Sequence, residues 1–469
     1  PLSAEVTLRT RKPSSLEVTL HGVDGDELLR VYPGFALERT VHLLGLYPDR
    51  KNRITFTLTD MDGRESPVER TVETPPLPEI YPEVKLRREL PDQISAGVTF
   101  LHLAAYDAEG EYIPLASAVD SRGRVRWFYR GEYGHLLLRL ENGNLMIEKE
   151  ERLQEISMLG WPRGGGIALP EGVHHDALEL PGGNLLALTA APGSVDDGVA
   201  EISRPDGAVV RSWDFRELLD PERPRQPVNL DEADWLHLNG IDYDPRDDSF
   251  VVSGRDQSAL VKVSRQSGKV VWILGDHTHW KEPFRELLLE PIGENFEWPW
   301  GQHAPELHRD IQERILLYDN GNHRAYDDPL PPEESYSRAV EYEIAENSGR
   351  VRQLWQYGRE RGSELFTPFI GDADYLKNGN RLVTFGGISR DLRGGPRALF
   401  DLEAQEVNDM KISAHVVEVT ADRPARVVME IILEEEDDSS WAGYRVYRAE
   451  RMPLYPEGSD SGGQRFRRQ

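Results

Sequence analysis

Residues 303–324 read HAPELHRDIQERILLYDNGNHR: a histidine, a short apolar stretch, a polar turn, and a second apolar run opening at Arg314. The same register recurs along the chain. His135 precedes Asn144 in HLLLRLENGNLMI, His175 precedes Asn184 in HDALELPGGNLLAL, and His237 precedes Asp248 in HLNGIDYDPRDDSFVV, always by nine or eleven positions. Gly371 precedes Asn380 in GDADYLKNGNRLVTF, where the histidine is gone but strand, turn and strand remain. NG and GG turns between apolar runs are hairpin signals. A hairpin repeated at this spacing is the signature of a β-propeller, in which each blade supplies one inner strand to a central channel.

Residues at one register of those inner strands converge on the axis, so His135 and His303 are expected to meet although 168 positions separate them. One such histidine reads as a structural link between blades; four in register point to a functional funnel. A second repeat supports the blades. Gly123 to Trp127, Gly207 to Trp213, Gly268 to Trp272 and Gly349 to Trp355 each run from a turn glycine through a valine to a tryptophan on the same strand face, a core-packing pattern. With a last unit around HVVEVTADRPARVVMEIIL, six blades are expected. LQEISML, DFRELLD and PFRELLLEP read as short helical decorations.

Before the repeats, residues 1–80 alternate with period two, as in LEVTLHGV and NRITFTLTDMDG, and read as a small β-sandwich. PPLPEIYPEV then has the proline density of a stiff linker. The expected layout is all-β: an N-terminal sandwich over 1–80, a six-bladed propeller over 81–455, and a polar, frayed tail over 456–469. Gly and Pro, 41 and 32 of 469 residues, suit many short strands and turns. No run of 18 apolar residues occurs, so no membrane span is expected. The chain has no cysteine, which removes thiolate chemistry and cysteine metal sites, and a net charge of −27 opposes a nucleic-acid role.

Clustered imidazoles suit acid/base or group-transfer chemistry, because neutral histidine accepts a proton near neutral pH and its cation returns it. Arg324 adds a planar fork for a sulfate, phosphate or carboxylate. Arg255 and Arg338 near equivalent strand ends could enlarge that pocket or pair with structural carboxylates. HTH at 277–279 and HHD at 174–176 offer metal-ligand types, but neighbours on a strand point to opposite faces, so His174 and His175 are not expected to share one ion. A metal-free anion site without a cofactor is favoured.

The ordered motifs HHD, DWLHLNGIDYDPRDDSFVVSGRDQSALVKV, QHAPEL, DNGNHR, YSRAVEYEI, LWQYGRERG and FGG resemble the bacterial arylsulfate sulfotransferases over most of residues 80–435, and GLYPDRKN at 45–52 is similar to that family's N-terminal sandwich. The resemblance implies a periplasmic or secreted enzyme that moves a sulfuryl group from a phenyl sulfate to a phenol through a sulfated histidine. By motif position His237, His303 and Arg324 match the family's oxyanion-binding residues. The nucleophile is expected after Gly386-Gly387, where Ile388, Ser389 and Arg390 stand instead, so the family nucleophile is expected to be missing. The expected site is thus His237, His303, Arg324 and His175 as catalytic groups, with Arg255, Arg338, Tyr336, Asn239, Arg390 and His135 binding an aryl sulfate or acidic glycan. The alternative chemistry is β-elimination on a uronate-containing polysaccharide, with histidine or Tyr336 as acid and base and arginine neutralising the carboxylate. The N-terminal unit leaves homodimerisation open.

Overall fold

The computed structural model describes residues 2–23, 25–107, 111–150, 152–169, 171–226, 233–326, 329–398, 410–435, 443–455 and the backbone of 465–467. Within them the repeated hairpins become six four-stranded antiparallel blades. The first is built from Leu137–Arg139, Leu145–Lys149, Arg152–Ile156 and Pro162–Ala168, and the second from Ala177–Glu179, Leu185–Ala191, Ser194–Ile202 and Val209–Asp214. The third comprises Leu238–Asp244, Ser249–Gly254, Ala259–Ser264 and Val270–Gly275. His303–Leu307, Arg314–Asp319, Arg338–Ala345 and Arg350–Tyr357 make the fourth, and Asp372–Tyr375, Arg381–Asp391, Met410–Val419 and Val427–Leu433 the fifth. LQEISML is a strand and turn of the first blade rather than a helix; DFRELLD and PFRELLLEP do carry one short helical turn each, Phe215–Leu218 and Phe284–Leu287.

The sixth blade joins the two ends of the propeller. Its inner strand is Gly443–Met452, paired antiparallel with Val98–Tyr106 from Gly443↔Tyr106 to Met452↔Val98, and then come Ser117–Val119 and Val125–Phe128. HVVEVTADRPARVVMEIIL, read above as the last blade, supplies the outer half of the fifth instead. The sequence pattern counts hairpins, and a blade assembled from both ends of a chain contains no hairpin at its seam.

Turn chemistry sets the register. In the NGN turns the side-chain oxygen of Asn142 accepts the N–H of Asn144 and that of Asn378 accepts the N–H of Asn380, while Gly143 and Gly379 take the left-handed conformation between them. The four tryptophans are buried on outer strands and reach the next blade: Trp127 Nε1 donates to the Met158 carbonyl, Trp272 to Glu346 and Trp355 to the Asp422 carbonyl, while Trp213 meets Phe250 edge-on.

At the axis the blades are latched by carboxylates. Asp176 Oδ2 accepts the Ile241 N–H at 2.9 Å, Asp242 Oδ2 the Leu307 N–H at 2.7 Å, and Glu306 Oε2 the Tyr375 N–H at 2.7 Å. The second, third and fourth blades each thereby hold their successor. Arg448 of the closing strand donates to Asp176 Oδ2 and to the carbonyl of Asn239, tying the seam to the second and third blades.

The strands of the N-terminal unit are hydrogen-bonded in one order among the described residues, 465–467, Glu27–Leu44, Ser3–His21, Arg50–Asp60, Glu65–Thr74, with the register of the first long pair broken between Arg9 and Leu16. The end of the chain, expected to fray, pairs there through Glu27↔Arg467. This sheet shares its core with the sixth and first blades: Leu16, Phe56, Phe100, Trp127 and Ile147 belong to one buried cluster. Arg126 binds the Gly45 carbonyl through Nε and Nη2, and Arg124 pairs with Asp26 at 2.8 Å. The sheet flanks the outer side of the sixth blade.

Two outcomes follow from this construction. A chain ending at residue 442 leaves Val98–Tyr106 as a bare edge, and it is expected to lose the single cooperative thermal transition followed by near-ultraviolet circular dichroism; a wild-type melt would contradict the seam. Burial, with Asp242 and Asp372 adding repulsion, raises the Glu306 carboxyl to about 8, and burial raises Glu450 to about 7. Protons are held more tightly in the folded chain, so this stabilisation is complete below the unfolded carboxyl range near pH ~4 and is lost as pH rises through about 7 to about 8. Glu306→Gln keeps an acceptor for Tyr375 and should lie close to the wild type in urea melts at pH 5 but exceed it at pH 8 by several kcal/mol.

Candidate functional site

The repeat that builds the blades also positions the histidines. Each stands at or just before an innermost strand, where the backbone turns into the axis through a left-handed residue: His175 (φ 50°), His237 (φ 53°), Ala304 beside His303 (φ 48°) and Ile370 before the fifth (φ 53°). Non-glycine residues adopt this conformation rarely, and its recurrence at one register is characteristic of sites held by their surroundings.

The side chains meet. His135 and His175 stack with ring centroids 5.0 Å apart and planes 5° from parallel, His237 contacts His175 edge-on at 4.8 Å, and Tyr447 of the closing strand lies 5.1 Å from His135. His303, from the fourth blade, and His237 feel each other's charge, and the Arg255 guanidinium acts on His175, His237 and His303 alike. Beneath the rings the channel holds a cavity of about 280 Å³ lined by all six innermost strands, among them Leu137, Asp176, Asp242, Glu306, Asp374 and Arg448, with His135 and His175 at its margin.

Burial dominates the electrostatics. It pushes the imidazoles of His135 and His174 down to about 3 and about 4, and those of His175, His237 and His303 well below the ordinary value, with Arg255 adding to the effect on the last three. All five are therefore neutral at physiological pH, each with one unprotonated ring nitrogen.

Two of these rings have one nitrogen fixed by a distinct partner. The Asn320 amide donates to the carbonyls of Thr367 and Ile370, at 2.9 and 2.7 Å, which turns its Oδ1 toward His303 Nδ1 at 2.7 Å. His303 must then carry its proton on Nδ1 and present Nε2 as the lone pair. His237 Nδ1 instead meets the Asp234 carboxylate at 2.5 Å, the pairing that stabilises an imidazolium once a proton arrives. Asp197 supports that corner by accepting the N–H groups of Leu236 and His237.

The remaining sequence-derived residues divide into separate groups. Arg255 lies with the histidines and its Nε donates to Asp256 at 2.8 Å. Asn239 stitches blades together, donating to the Gln302 carbonyl while its own carbonyl takes Arg448 and the Tyr447 hydroxyl. Arg324, Tyr336 and Arg338 form a second network around Asp319 and Glu297. There Arg324 bonds Asp319 and the Tyr336 carbonyl and lies 3.5 Å above the Tyr336 ring, the Tyr336 hydroxyl donates to Glu297, and Arg338 is spread over Asp319, Glu297 and Gln356. For Arg338 this is the structural pairing weighed above, since a fully buried guanidinium needs carboxylates. Arg390 binds the carbonyls of Ser363 and Glu364, securing the 359–365 turn.

Sequence reasoning passed over Asp196, Asp234, Asn320 and Tyr447, which touch the histidines from other strands and turns. It also separated His174 from His175. Strand alternation does not apply to them, because both precede the strand and His175 is left-handed, which brings their Nδ1 atoms to 2.8 Å.

Comparison with known proteins places this geometry. Residues 86–445 match the arylsulfotransferase (ASST) family and residues 1–75 match the arylsulfotransferase Ig-like domain. The arylsulfate sulfotransferase AssT of Escherichia coli O6:H1 is 25% identical over 548 aligned positions, covering 90% of this chain and 89% of the relative. The AssT of Lelliottia amnigena is 23% identical over 547, with the same coverage of both chains. Among solved structures, the β-propeller domain of Myceliophteria thermophila Cps50 (Swd1) is 7% identical over 75% of this chain and 99% of its own, at a TM-score of 0.38, a likeness too faint to argue from. With three quarters of its length matched by the catalytic family and the N-terminal unit by that family's companion domain, the chain belongs to the arylsulfotransferase family.

Proposed function

We propose that this protein transfers a sulfuryl group from an aryl sulfate to a phenolic acceptor at the mouth of the axial channel, with His303 as the covalent carrier. The observation that carries the reading is the pair of fixed imidazoles. His303, paired with a neutral amide, stays neutral and offers Nε2 as a nucleophile; His237, paired with Asp234, is built to receive a proton.

In the first step His303 Nε2 attacks sulfur and the sulfur–oxygen bond to the donor breaks, releasing a phenolate and leaving an N-sulfated ring whose Nδ1–H still donates to Asn320 Oδ1. In the second, the acceptor hydroxyl attacks sulfur, His237 takes its proton, and the N–S bond breaks. That proton then returns to the donor phenolate, so the overall exchange is aryl sulfate plus phenol for phenol plus aryl sulfate. Arg255, whose charge already reaches the three histidines, opposes the negative charge gathering on the sulfuryl oxygens. No residue following Gly386-Gly387 is needed in this scheme, and Arg324 serves by buttressing Asp319 and Tyr336. The aryl sulfate is the substrate in the family's names, and a periplasmic setting is carried over from the same resemblance.

Incubation with p-nitrophenyl sulfate alone should add the mass of one sulfuryl group, located on His303 by fragmentation and removed by phenol; His303→Asn should show none. An unmodified mass with sustained turnover, or an adduct elsewhere, would overturn the assignment. Arg255→Lys keeps the charge but loses the fork, and kcat/KM should fall by about 10²-fold, whereas folded Arg324→Lys should lose much less. The reverse order would return the anion to Arg324.

A further inference from the structure

Beside the proposed transfer site lies a group of side chains that the scheme above does not use. His174, His175 and Asp196 bring one ligand atom each within 4.8 Å of the others. His174 Nε2 lies 3.4 Å from Asp196 Oδ1, and His175 Nδ1 lies 3.7 Å from Asp196 Oδ2. Ligands 2.0–2.2 Å from a tetrahedral zinc ion stand about 3.4 Å apart, so each of these two contacts, one to each Asp196 oxygen, is near the length of such an edge. They are too long for good hydrogen bonds.

Asp196 is the central member. It comes from the Ser194–Ile202 strand of the second blade, is held in the left-handed conformation at φ 53°, and also lies 3.6 Å from His237 Nδ1. With Asp234 and His237 it forms a second three-residue group of ligand type. His174 Nε2 is buried and makes no hydrogen bond.

We propose that His174, His175 and Asp196 bind one divalent transition-metal ion of the zinc class, with a fourth position open toward the channel mouth. The ion takes the His175 Nδ1 lone pair that His174 Nδ1 now shares at 2.8 Å. Two imidazoles and one carboxylate are the donor types such an ion takes, and Asp196 faces both rings. Three protein ligands and one open position is the arrangement of zinc sites that contact substrate rather than purely structural ones. The Asp234–His237 pair stays intact beside it.

The test uses the full chain purified without metal-affinity resin, stripped with EDTA and titrated with cobalt(II). One equivalent should produce the intense visible bands of four-coordinate cobalt, zinc should displace it mole for mole, and zinc should raise the melting temperature. Asp196→Asn and His174→Asn, each checked by circular dichroism to be folded, should weaken cobalt binding at least ~100-fold. His303→Asn should leave the cobalt spectrum unchanged, which separates this proposal from the transfer scheme. Weak, multi-site or octahedral cobalt binding, or a spectrum that survives Asp196→Asn, would overturn it.

Discussion

The structure depends on carboxylates in or just before three of the innermost strands reaching across to the next blade's backbone. A propeller blade touches its neighbours mainly through side chains, and the N–H groups at the axis have no strand beyond them to pair with. Asp176, Asp242 and Glu306 supply those acceptors in turn, each within five residues after a histidine of the repeat. The same short segments therefore make the latch and present the imidazoles. That coupling explains why the site sits where the blades converge, and why Arg448, which closes the ring through Asp176, also lies under the histidines.

The latch also sets the polarity of the channel. Six carboxyls converge below the rings, Asp176, Asp242, Glu306, Asp372, Asp374 and Glu450, while Arg255 stands with the histidines. An anionic ester approaching the −27 chain meets Arg255 beside the histidines, while the carboxyls below are interleaved with Arg309, Arg448 and Arg451. Neutral imidazoles fit this division. Protonated histidines would attract the anion more strongly but could not attack sulfur or accept a proton.

The hairpin repeat from His135 through Gly371 revealed five blades and the convergence of the histidines, since hairpin spacing is a local property of sequence; the sixth was counted from a unit that belongs to the fifth. The seam was not legible. Gly443–Met452 pairs with Val98–Tyr106 across more than three hundred residues, and neither strand carries a turn that names the other. The divided fate of the arginines was hidden for a related reason: Arg255 and Arg324 both follow a motif at a strand end, and only the fold sets Arg255 with Asp256 and the histidines and Arg324 in the Asp319 and Glu297 network. Asp196 and Asn320 lie in ordinary strand and loop contexts, so no local signal marks them, although each fixes or faces a histidine. The adjacent pair His174 and His175 misled because alternation was assumed where a left-handed residue intervenes.

The central claim is that sulfuryl transfer occurs where the repeat's histidines meet Arg255. A crystal structure of the protein soaked briefly with p-nitrophenyl sulfate and frozen before acceptor is added tests this most directly. The account predicts sulfuryl density bonded to His303 Nε2, with the Arg255 guanidinium within hydrogen-bonding distance of its oxygens. Density at Arg324 with His303 unmodified would contradict it.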